Sequence, residues 1–308
     1  MTSGDRRLAA VTEFAAILAF YQWYSAARHW VAGSEAAAYH NALQLVRVEA
    51  ALGFFNEAAI QQWVLAREWL VQLLSFHYTT FHFAVPLVVL VILFRRYPDR
   101  YLLYRNALGW TCVLAVVMFW LWPLMPPRLL PDSYGFVDVF ATQFRPPSVD
   151  GGFAPALYNG FAAMPSLHCA YAMWCAVAVW PAVRSNAGRV IVAGHVAVTL
   201  LAVVATGNHF HLDAVGGAVV LMAGVALSRR RHRPYLMPTR RYLVGVGAAL
   251  LGATLFIWIP KGQLMLAAED LLVVLLLGAA AFFRGSRRDN AEPGTSTANT
   301  DELAQTTR

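Results

Sequence analysis

The stretch FAAMPSLHCAYAMW, residues 161–174, places Pro165, Ser166 and His168 at the start of a long apolar segment. The apolar character continues to about residue 184, so the segment approaches the ~20 residues that a helix needs to cross the hydrocarbon core of a bilayer. A serine and a histidine therefore fall at the predicted beginning of a membrane helix. We expect His168 to have a chemical role at the membrane surface.

The whole chain is apolar. Of its 308 residues, 58% are hydrophobic and 13% are charged, and the mean hydropathy is +0.50. These values exclude an ordinary soluble domain. The hydropathy pattern predicts an all-α, polytopic membrane helix bundle with six core transmembrane helices and a C-terminal two-helix hairpin. The predicted spans are residues 8–30, 67–94, 103–125, 166–184, 188–207 and 209–228 for the core, and 242–260 and 266–283 for the hairpin.

The segment between the first two spans, residues 33–66, has apolar residues at helical spacing that are interrupted by Glu35, Glu49, Asn56 and Glu57. We expect interfacial helices here, because charged side chains are costly at the bilayer centre. The alternative is a seventh, interrupted crossing. The predicted regions are the first helix with interfacial helices (1–66), the transmembrane core with the candidate site (67–228), a basic loop with the hairpin (229–284) and a disordered cytoplasmic tail (285–308).

The net charge of +7 does not indicate a nucleic-acid partner, because the basic residues are distributed by loop as in a membrane protein. Most Lys and Arg residues lie in the N-terminus and after the second, fourth, sixth and eighth predicted helices, so the positive-inside rule places both termini in the cytoplasm. The basic residues left on the extracytoplasmic side are Arg28, Arg47, Arg67, Arg128, Arg145 and Lys261. The first segment has no small-residue cleavage site of a signal peptide, so we expect it to be retained in an integral, multi-pass cell-membrane protein.

A second polar interruption, TGNHFHLDAVGG at residues 206–217, contains two histidines and an aspartate. If a helix begins near His209, then Asp213 lies one turn further on the same face, while His211 points elsewhere. A carboxylate that accepts the N–H of one imidazole nitrogen fixes the tautomer and leaves the other nitrogen free as a nucleophile or base. His209 and Asp213 are therefore the predicted pair.

The predicted topology brings three distant segments to one membrane face: the start of the fourth helix with His168, the start of the sixth with His209, and the loop with Arg128. Helix N-termini favour anions, so two of them beside an arginine predict a phosphate-binding site. A zinc site of His168, His209 and Asp213 has suitable residue types as well. It would leave Arg128 unexplained, and we predict neither metal nor cofactor.

These motifs resemble those of a known family. PSLH at residues 165–168, followed about forty residues later by HFHLD at 209–213, resembles the type 2 phosphatidic acid phosphatase superfamily. AAMPSLH, TGNH and the upstream PPR are similar to its branch that includes inositol phosphorylceramide synthase and sphingomyelin synthase. The resemblance covers roughly residues 60 to 225.

The resemblance implies a role for each matching residue. His209 would be the nucleophile that forms a phosphohistidine, Asp213 its orienting partner, and His168 the acid that protonates the leaving oxygen and then activates the acceptor. Arg128 would bind phosphate oxygens, although it could instead anchor lipid headgroups. Ser166 and Asn208 are further candidates for binding the substrate phosphate.

Some positions depart from the superfamily pattern. The expected lysine before the first arginine is Leu121, the expected arginine before the nucleophile is Val203, and Leu167 replaces a glycine. The pocket would then borrow charge from Arg145 or Arg67 or accept a less charged phosphodiester. His77 and His82, inside the second predicted span, are candidates with Arg145 for lining a substrate cavity.

The predicted function is a lipid phosphatase or phosphotransferase that acts on a lipid phosphoester at the outer leaflet. The candidate lipids are phosphatidate, polyprenyl phosphate and phosphatidylinositol, and a homo-oligomer is left open. One alternative is a headgroup transferase of the inositol phosphorylceramide synthase type. Another is a non-enzymatic membrane module or transporter that kept the fold.

Overall fold

A computed structural model of the chain describes residues 3–31, 33–143 and 160–230. Over these ranges the chain is helical and forms no strand. The helices are α1 (Ser3–Trp30), α2 (Glu35–Ala51), α3 (Glu57–Leu65), α4 (Glu68–Phe76), α5 (His82–Arg96), α6 (Pro98–Leu121), α7 (Val139–Gln143), α8 (Leu167–Val179), α9 (Asn186–Ala205) and α10 (His211–Arg229). A π-helical segment, His77–Phe81, joins α4 to α5 without a break.

Four helices in the described ranges are long and apolar enough to cross a membrane. They are Glu68–Arg96, which combines α4, the π segment and α5, then Pro98–Leu121, Asn186–Ala205 and His211–Arg229. A shorter apolar helix covers Leu167–Ala182. The predicted all-helical membrane bundle is thus confirmed, whereas the predicted C-terminal hairpin and tail lie outside the described residues.

The buried charge of Glu13 in α1 is compensated by residues of α6. Glu13 is buried and accepts hydrogen bonds from Arg105 at 2.7 Å and from the Tyr101 hydroxyl at 3.0 Å, both on α6. A buried carboxylate is tolerated only when a cation and hydrogen bonds compensate its lost hydration. This pair therefore fixes α1 against α6.

Close backbone approach holds α10 against its neighbours. A Cβ atom at Gly224 would lie 2.7 Å from the carbonyl oxygen of Ala107 in α6, and one at Gly217 would lie 2.5 Å from the carbonyl oxygen of Ser166. Small residues allow such contacts between membrane helices. The beginning of α8 is consequently pressed against the first turns of α10.

The region predicted as interfacial forms α2 and α3, neither of which is among the helices apolar and long enough to cross a membrane. Apolar residues of α2 pack with Leu124, Met125 and Phe210 at the end of the bundle where α8 and α10 begin. Asn41 also donates to the carbonyl of Pro123 at 2.8 Å. These helices therefore cover the end of the bundle at which the polar motifs meet.

Candidate active site

Backbone hydrogen bonds join the three segments that the sequence predicts to converge. The N–H of Arg128 donates to the carbonyl of Gly207 at 2.8 Å, and the N–H of Ser166 donates to the carbonyl of Asp213 at 2.9 Å. The N–H of Leu124, just before the Arg128 motif, donates to Phe161 at 2.8 Å. The loops before α8 and α10 and the loop after α6 thus form one hydrogen-bonded unit.

His209 and Asp213 are paired within this unit. Nδ1 of His209 lies 3.2 Å from Oδ2 of Asp213, and both side chains are buried. A carboxylate can only accept here, so Nδ1 carries the proton and Nε2 keeps its lone pair. The pair has the arrangement of an oriented nucleophile or base.

The expected start of the helix is wrong by two residues. The helix α10 begins at His211, and His209 lies before it. The pair still forms because Asp213 is the third residue of the helix and its carboxylate reaches back, also accepting the N–H of Phe210 at 3.0 Å. The spacing of four residues therefore predicts the observed pair, but the contact forms across the start of the helix and not across one helical turn.

His168 lies in the first turn of α8, facing His209. The centroids of the two imidazole rings are 5.8 Å apart. The His168 ring is held between those of Tyr78 at 4.0 Å and His82 at 3.9 Å, both nearly parallel to it. Stacking on two sides fixes the plane of His168 beside the ring of His209.

Three carboxylates accept the first N–H groups at the start of α10. In addition to Asp213, Glu57 accepts the N–H of His211 at 3.1 Å and Glu49 accepts that of Leu212 at 2.7 Å, and all three carboxylates are fully buried. These donors are already used by protein anions. The expectation that this helix N-terminus binds phosphate is therefore wrong, because the carboxylates occupy the N–H groups that phosphate would need.

The carboxyl group of Glu57 is a neighbour of that of Glu49. Burial, together with this neighbour, raises the pKa of Glu49 to about 9. A group with this pKa keeps its proton near neutral pH, so Glu49 is neutral beneath α10.

Arg128 is held beside His209 by neighbouring side chains. Its guanidinium donates to Oδ1 of Asn208 at 2.7 Å and lies 3.2 Å from Oδ2 of Asp138. Gly207, with φ of +69°, lets the backbone pass so closely that a Cβ there would lie 3.1 Å from Cβ of Arg128. The structure thus brings Arg128 and Asn208 together, and their binding of phosphate stays a prediction.

Ser166 is the N-cap of α8, and its side chain accepts from the N–H of Cys169 at 3.4 Å. The side chain is fully buried. Ser166 thus caps the helix. Its contact with the substrate phosphate stays a prediction.

His77 and His82 line a small cavity next to His168. Nε2 of His77 lies 2.8 Å from the hydroxyl of Thr199, which donates to the carbonyl of His195. The π-helical segment that carries His77 is of a kind often found at functional sites. The cavity is lined by His77, Tyr78, Phe81, His82, Pro86, His168, Tyr171, Ala172, His195, Thr199 and Ala202. Entry of substrate here stays a prediction, and Arg145 lies outside the described residues.

Sequence reasoning missed the roles of Glu49, Glu57 and Asp138. In the sequence the two glutamates appear only as polar interruptions of helical segments. Their complete burial indicates a role inside the protein, but it is seen only in the structure. Arg67, a sequence candidate for added charge, instead lies over the ring of Trp63 at 3.9 Å. Among the described residues, no group of three or more His, Cys, Asp or Glu side chains is arranged to hold a metal ion.

Comparison with known proteins agrees with this geometry. No curated protein and no solved structure is significantly similar to the chain. The family model of the PAP2 superfamily matches residues 43–227, a region that includes His168, Arg128, His209 and Asp213. Members of this superfamily are generally phosphoesterases or phosphotransferases. Because the match covers more than half of the 308 residues, this membrane protein belongs to the PAP2 superfamily.

Proposed function

We propose that this protein cleaves a lipid phosphoester through a phosphohistidine on His209. The observation that carries the proposal is the buried His209–Asp213 pair together with the ring of His168, whose centroid lies 5.8 Å from that of His209. A nucleophile with an orienting carboxylate and a second acid or base nearby is the arrangement that covalent phosphoryl transfer requires.

The reaction has two steps. Nε2 of His209 attacks phosphorus, the bond from phosphorus to the lipid oxygen breaks, and that oxygen takes a proton from His168. His168 then removes a proton from water, the water oxygen attacks phosphorus, and the bond between phosphorus and nitrogen breaks. Phosphate leaves, and both histidines return to their starting states. Arg128 stabilises the charge on the phosphate oxygens in both steps.

The positive-inside pattern supports a site on the extracytoplasmic side, with substrate entering from the outer leaflet. A test is labelling with a membrane-impermeant thiol reagent of single cysteines placed in the loop between α6 and α8, in intact cells. Labelling only after permeabilisation would reverse the orientation.

The test of catalysis uses purified protein in detergent with phosphatidate, a polyprenyl phosphate and phosphatidylinositol as separate substrates. Free phosphate and lipid products are measured together by colorimetry and mass spectrometry. We expect His209→Ala and His168→Ala to lower turnover about 1000-fold or more. His40→Ala, an exposed histidine of α2, is the matched control and should keep full activity.

If His209→Ala kept a tenth of the wild-type rate, the proposal that His209 is the nucleophile would fail. No turnover of any of the three lipids by wild type would favour a non-enzymatic module or transporter. The cavity beside His168 supports a second candidate, transfer to an alcohol larger than water. A new phosphodiester lipid without free phosphate would establish that transferase. Free phosphate alone would establish the hydrolase.

A further inference from the structure

The two candidate catalytic histidines are held by different kinds of contact. Nδ1 of His209 lies 3.2 Å from a carboxylate oxygen of Asp213. The His168 ring is instead covered on its faces by Tyr78 at 4.0 Å and His82 at 3.9 Å, with interplanar angles of 15° and 27°. Within the described part of the chain, no side chain or carbonyl forms a hydrogen bond with the His168 ring. Stacking therefore sets the plane of this imidazole without using the nitrogens at its edge.

The two rings that cover His168 come from one continuous helix. Tyr78 belongs to the π-helical segment His77–Phe81, and His82 is the first residue of α5. Helical residues four positions apart are neighbours on one face, so a single helix can place a ring on each side of His168. Single π-helical turns within α-helices occur frequently at functional sites. We call Tyr78 and His82 the ring clamp.

Further contacts support both rings of the clamp. Phe140 of α7 packs on Tyr78 at 5.4 Å, and Tyr171 of α8 stacks on His82 at 5.0 Å. The Tyr171 hydroxyl lies 3.0 Å from Sγ of Cys112 on α6. Side chains that are themselves held by packing and hydrogen bonds fix a catalytic group more precisely than side chains without such support. Contacts from three other helices thus hold the clamp in place.

His82 contributes its ring face to this arrangement. Its Nδ1 is buried and has no hydrogen-bond partner among the described residues. A buried nitrogen without a partner does not stabilise the fold. The contribution of His82 that the structure shows is therefore the flat surface against His168, which another aromatic ring could also supply.

The proposed reaction requires two proton transfers from one imidazole. His168 gives a proton to the leaving lipid oxygen in the first step and takes a proton from water in the second. Both transfers run through a nitrogen in the plane of the ring, so a tilt of the ring would misdirect both. A hydrogen bond to a carboxylate would occupy one nitrogen, whereas stacking leaves the ring edge for the two transfers.

We propose that Tyr78 and His82 are positioning residues for His168, and that the ring clamp aligns His168 for both proton transfers. This inference rests on the proposed function, because it explains how the acid and base of that reaction is held. The clamp acts on proton transfer and not on the attack of His209 on phosphorus. Its loss should therefore lower kcat with little change in KM.

The first test compares His82→Leu, which removes the aromatic face, with His82→Phe, which keeps it, on phosphatidate in detergent. We expect His82→Leu to lower kcat about 100-fold and to leave KM within about threefold, because a displacement of about 1 Å can cost that much. His82→Phe should keep at least about a third of the wild-type kcat. Phe76→Leu, at an exposed ring on the same helix outside the clamp, is the matched control and should keep full activity.

The second test separates alignment of His168 from a general loss of structure. p-Nitrophenolate leaves without a proton, so phosphorylation of His209 by p-nitrophenyl phosphate needs no acid, whereas attack of water on the phosphohistidine still needs a base. We expect His82→Leu to release the first p-nitrophenolate at the wild-type rate and to accumulate phosphoenzyme. Rapid quench into alkali, which preserves phosphohistidine, measures both quantities. A disordered site would slow both steps.

Each other outcome overturns the inference. Wild-type kcat in His82→Leu would do so, as would equal losses in His82→Leu and His82→Phe or a variant that is slow in both steps with p-nitrophenyl phosphate. If His82→Leu does not fold, judged by size-exclusion chromatography, Tyr78→Leu and Tyr78→Phe are compared by the same criteria. If wild type does not use p-nitrophenyl phosphate, the comparison on phosphatidate decides alone.

Failure of the proposed function gives a different result. Wild type without phosphoenzyme on any substrate, or phosphoenzyme in His209→Ala, would overturn the proposed function together with this inference. Failure of the inference alone would leave wild-type phosphoenzyme formation and the inactivity of His209→Ala as they are. The two failures are therefore distinguishable in one set of measurements.

Discussion

The N-termini of α8 and α10 are in contact, and each is next to a candidate catalytic histidine, but their first N–H groups are satisfied by different chemistry. At α8 the cap is the neutral hydroxyl of Ser166. At α10 the caps are the carboxylates of Asp213, Glu57 and Glu49. One helix start therefore keeps the positive end of its dipole, and the other is covered by negative charge.

This difference suggests a division of tasks. The carboxylates around α10 favour positive charge on the adjacent His209 ring, which develops when the ring nitrogen bonds to phosphorus. The start of α8, without an acidic cap, does not repel the phosphate oxygens in the same way. Substitutions at the two helix starts test this contrast, and those at the acidic start should have the larger effects.

Asp213→Asn should have the largest effect of these changes. The amide can still accept the N–H of Phe210, which Asp213 accepts at 3.0 Å, but it no longer supplies a charge to hold and stabilise His209. We expect kcat to fall about 1000-fold with little loss of stability, as for a carboxylate that orients a catalytic histidine. Single-turnover kinetics of phosphate release measure the effect. A rate above a tenth of wild type would show that Asp213 only caps the helix.

Glu57→Ala should destabilise the same helix start. The change leaves the N–H of His211 without its acceptor and removes the carboxyl group next to Glu49. We expect a loss of about 2–3 kcal/mol in the free energy of unfolding, the cost of an unsatisfied buried polar group. The midpoint of thermal inactivation in detergent reports the change.

Glu35→Ala is the control for Glu57→Ala, because Glu35 is an exposed acid in the first turn of α2. It should shift stability by less than about 0.5 kcal/mol. Equal shifts for Glu35→Ala and Glu57→Ala would contradict a specific role for the buried acids.

The acidic helix start should also make stability depend on pH. Because the pKa of Glu49 is raised from 4.5 to about 9, the folded protein keeps a proton that the unfolded chain releases in this interval. The free energy of unfolding should therefore fall as the pH rises from 4.5 to 9, by up to about 1.4 kcal/mol per pH unit. Glu57, Asp213 and His211 are the other titratable groups in this region.

Comparison of wild type with Glu49→Gln isolates this contribution. The amide oxygen can still accept the N–H of Leu212, but the side chain does not titrate. The slope of stability against pH should be shallower in the variant between pH 4.5 and 9. Identical slopes would show that the proton is held elsewhere.

The helices were predictable from the sequence because the bilayer fixes their length and excludes charge. All six predicted spans of the core agree with observed helices to within five residues at each end, for example 188–207 against Asn186–Ala205. The pairing of His209 with Asp213 followed from local spacing. The geometry of this pair, in which His209 lies before the helix and Asp213 within its first turn, depends on where α10 begins. Hydropathy does not define that boundary.

Contacts between distant segments could not be read in this way. Glu49 and Glu57 reach α10 from helices more than 150 residues earlier in the chain, and their role appears only when α2 and α3 cover the end of the bundle. Asp138 meets Arg128 for the same reason, through folding of the loop after α6. Such pairs depend on tertiary packing, on which the local residue pattern carries no information.

Ser166→Ala, at the neutral helix start, should have the smallest effect of the series. It removes the hydroxyl that caps the N–H of Cys169 and should cost about 1 kcal/mol of stability, the usual value for an N-cap. If the side chain acts only as a cap, kcat/KM should fall less than about threefold, because the fully buried hydroxyl is occupied by the helix. A loss of 100-fold at unchanged stability would instead place the hydroxyl on the substrate phosphate. The contrast between the two helix starts would then lie in which side chain binds the anion, with Ser166 at the α8 side and Arg128 beside His209.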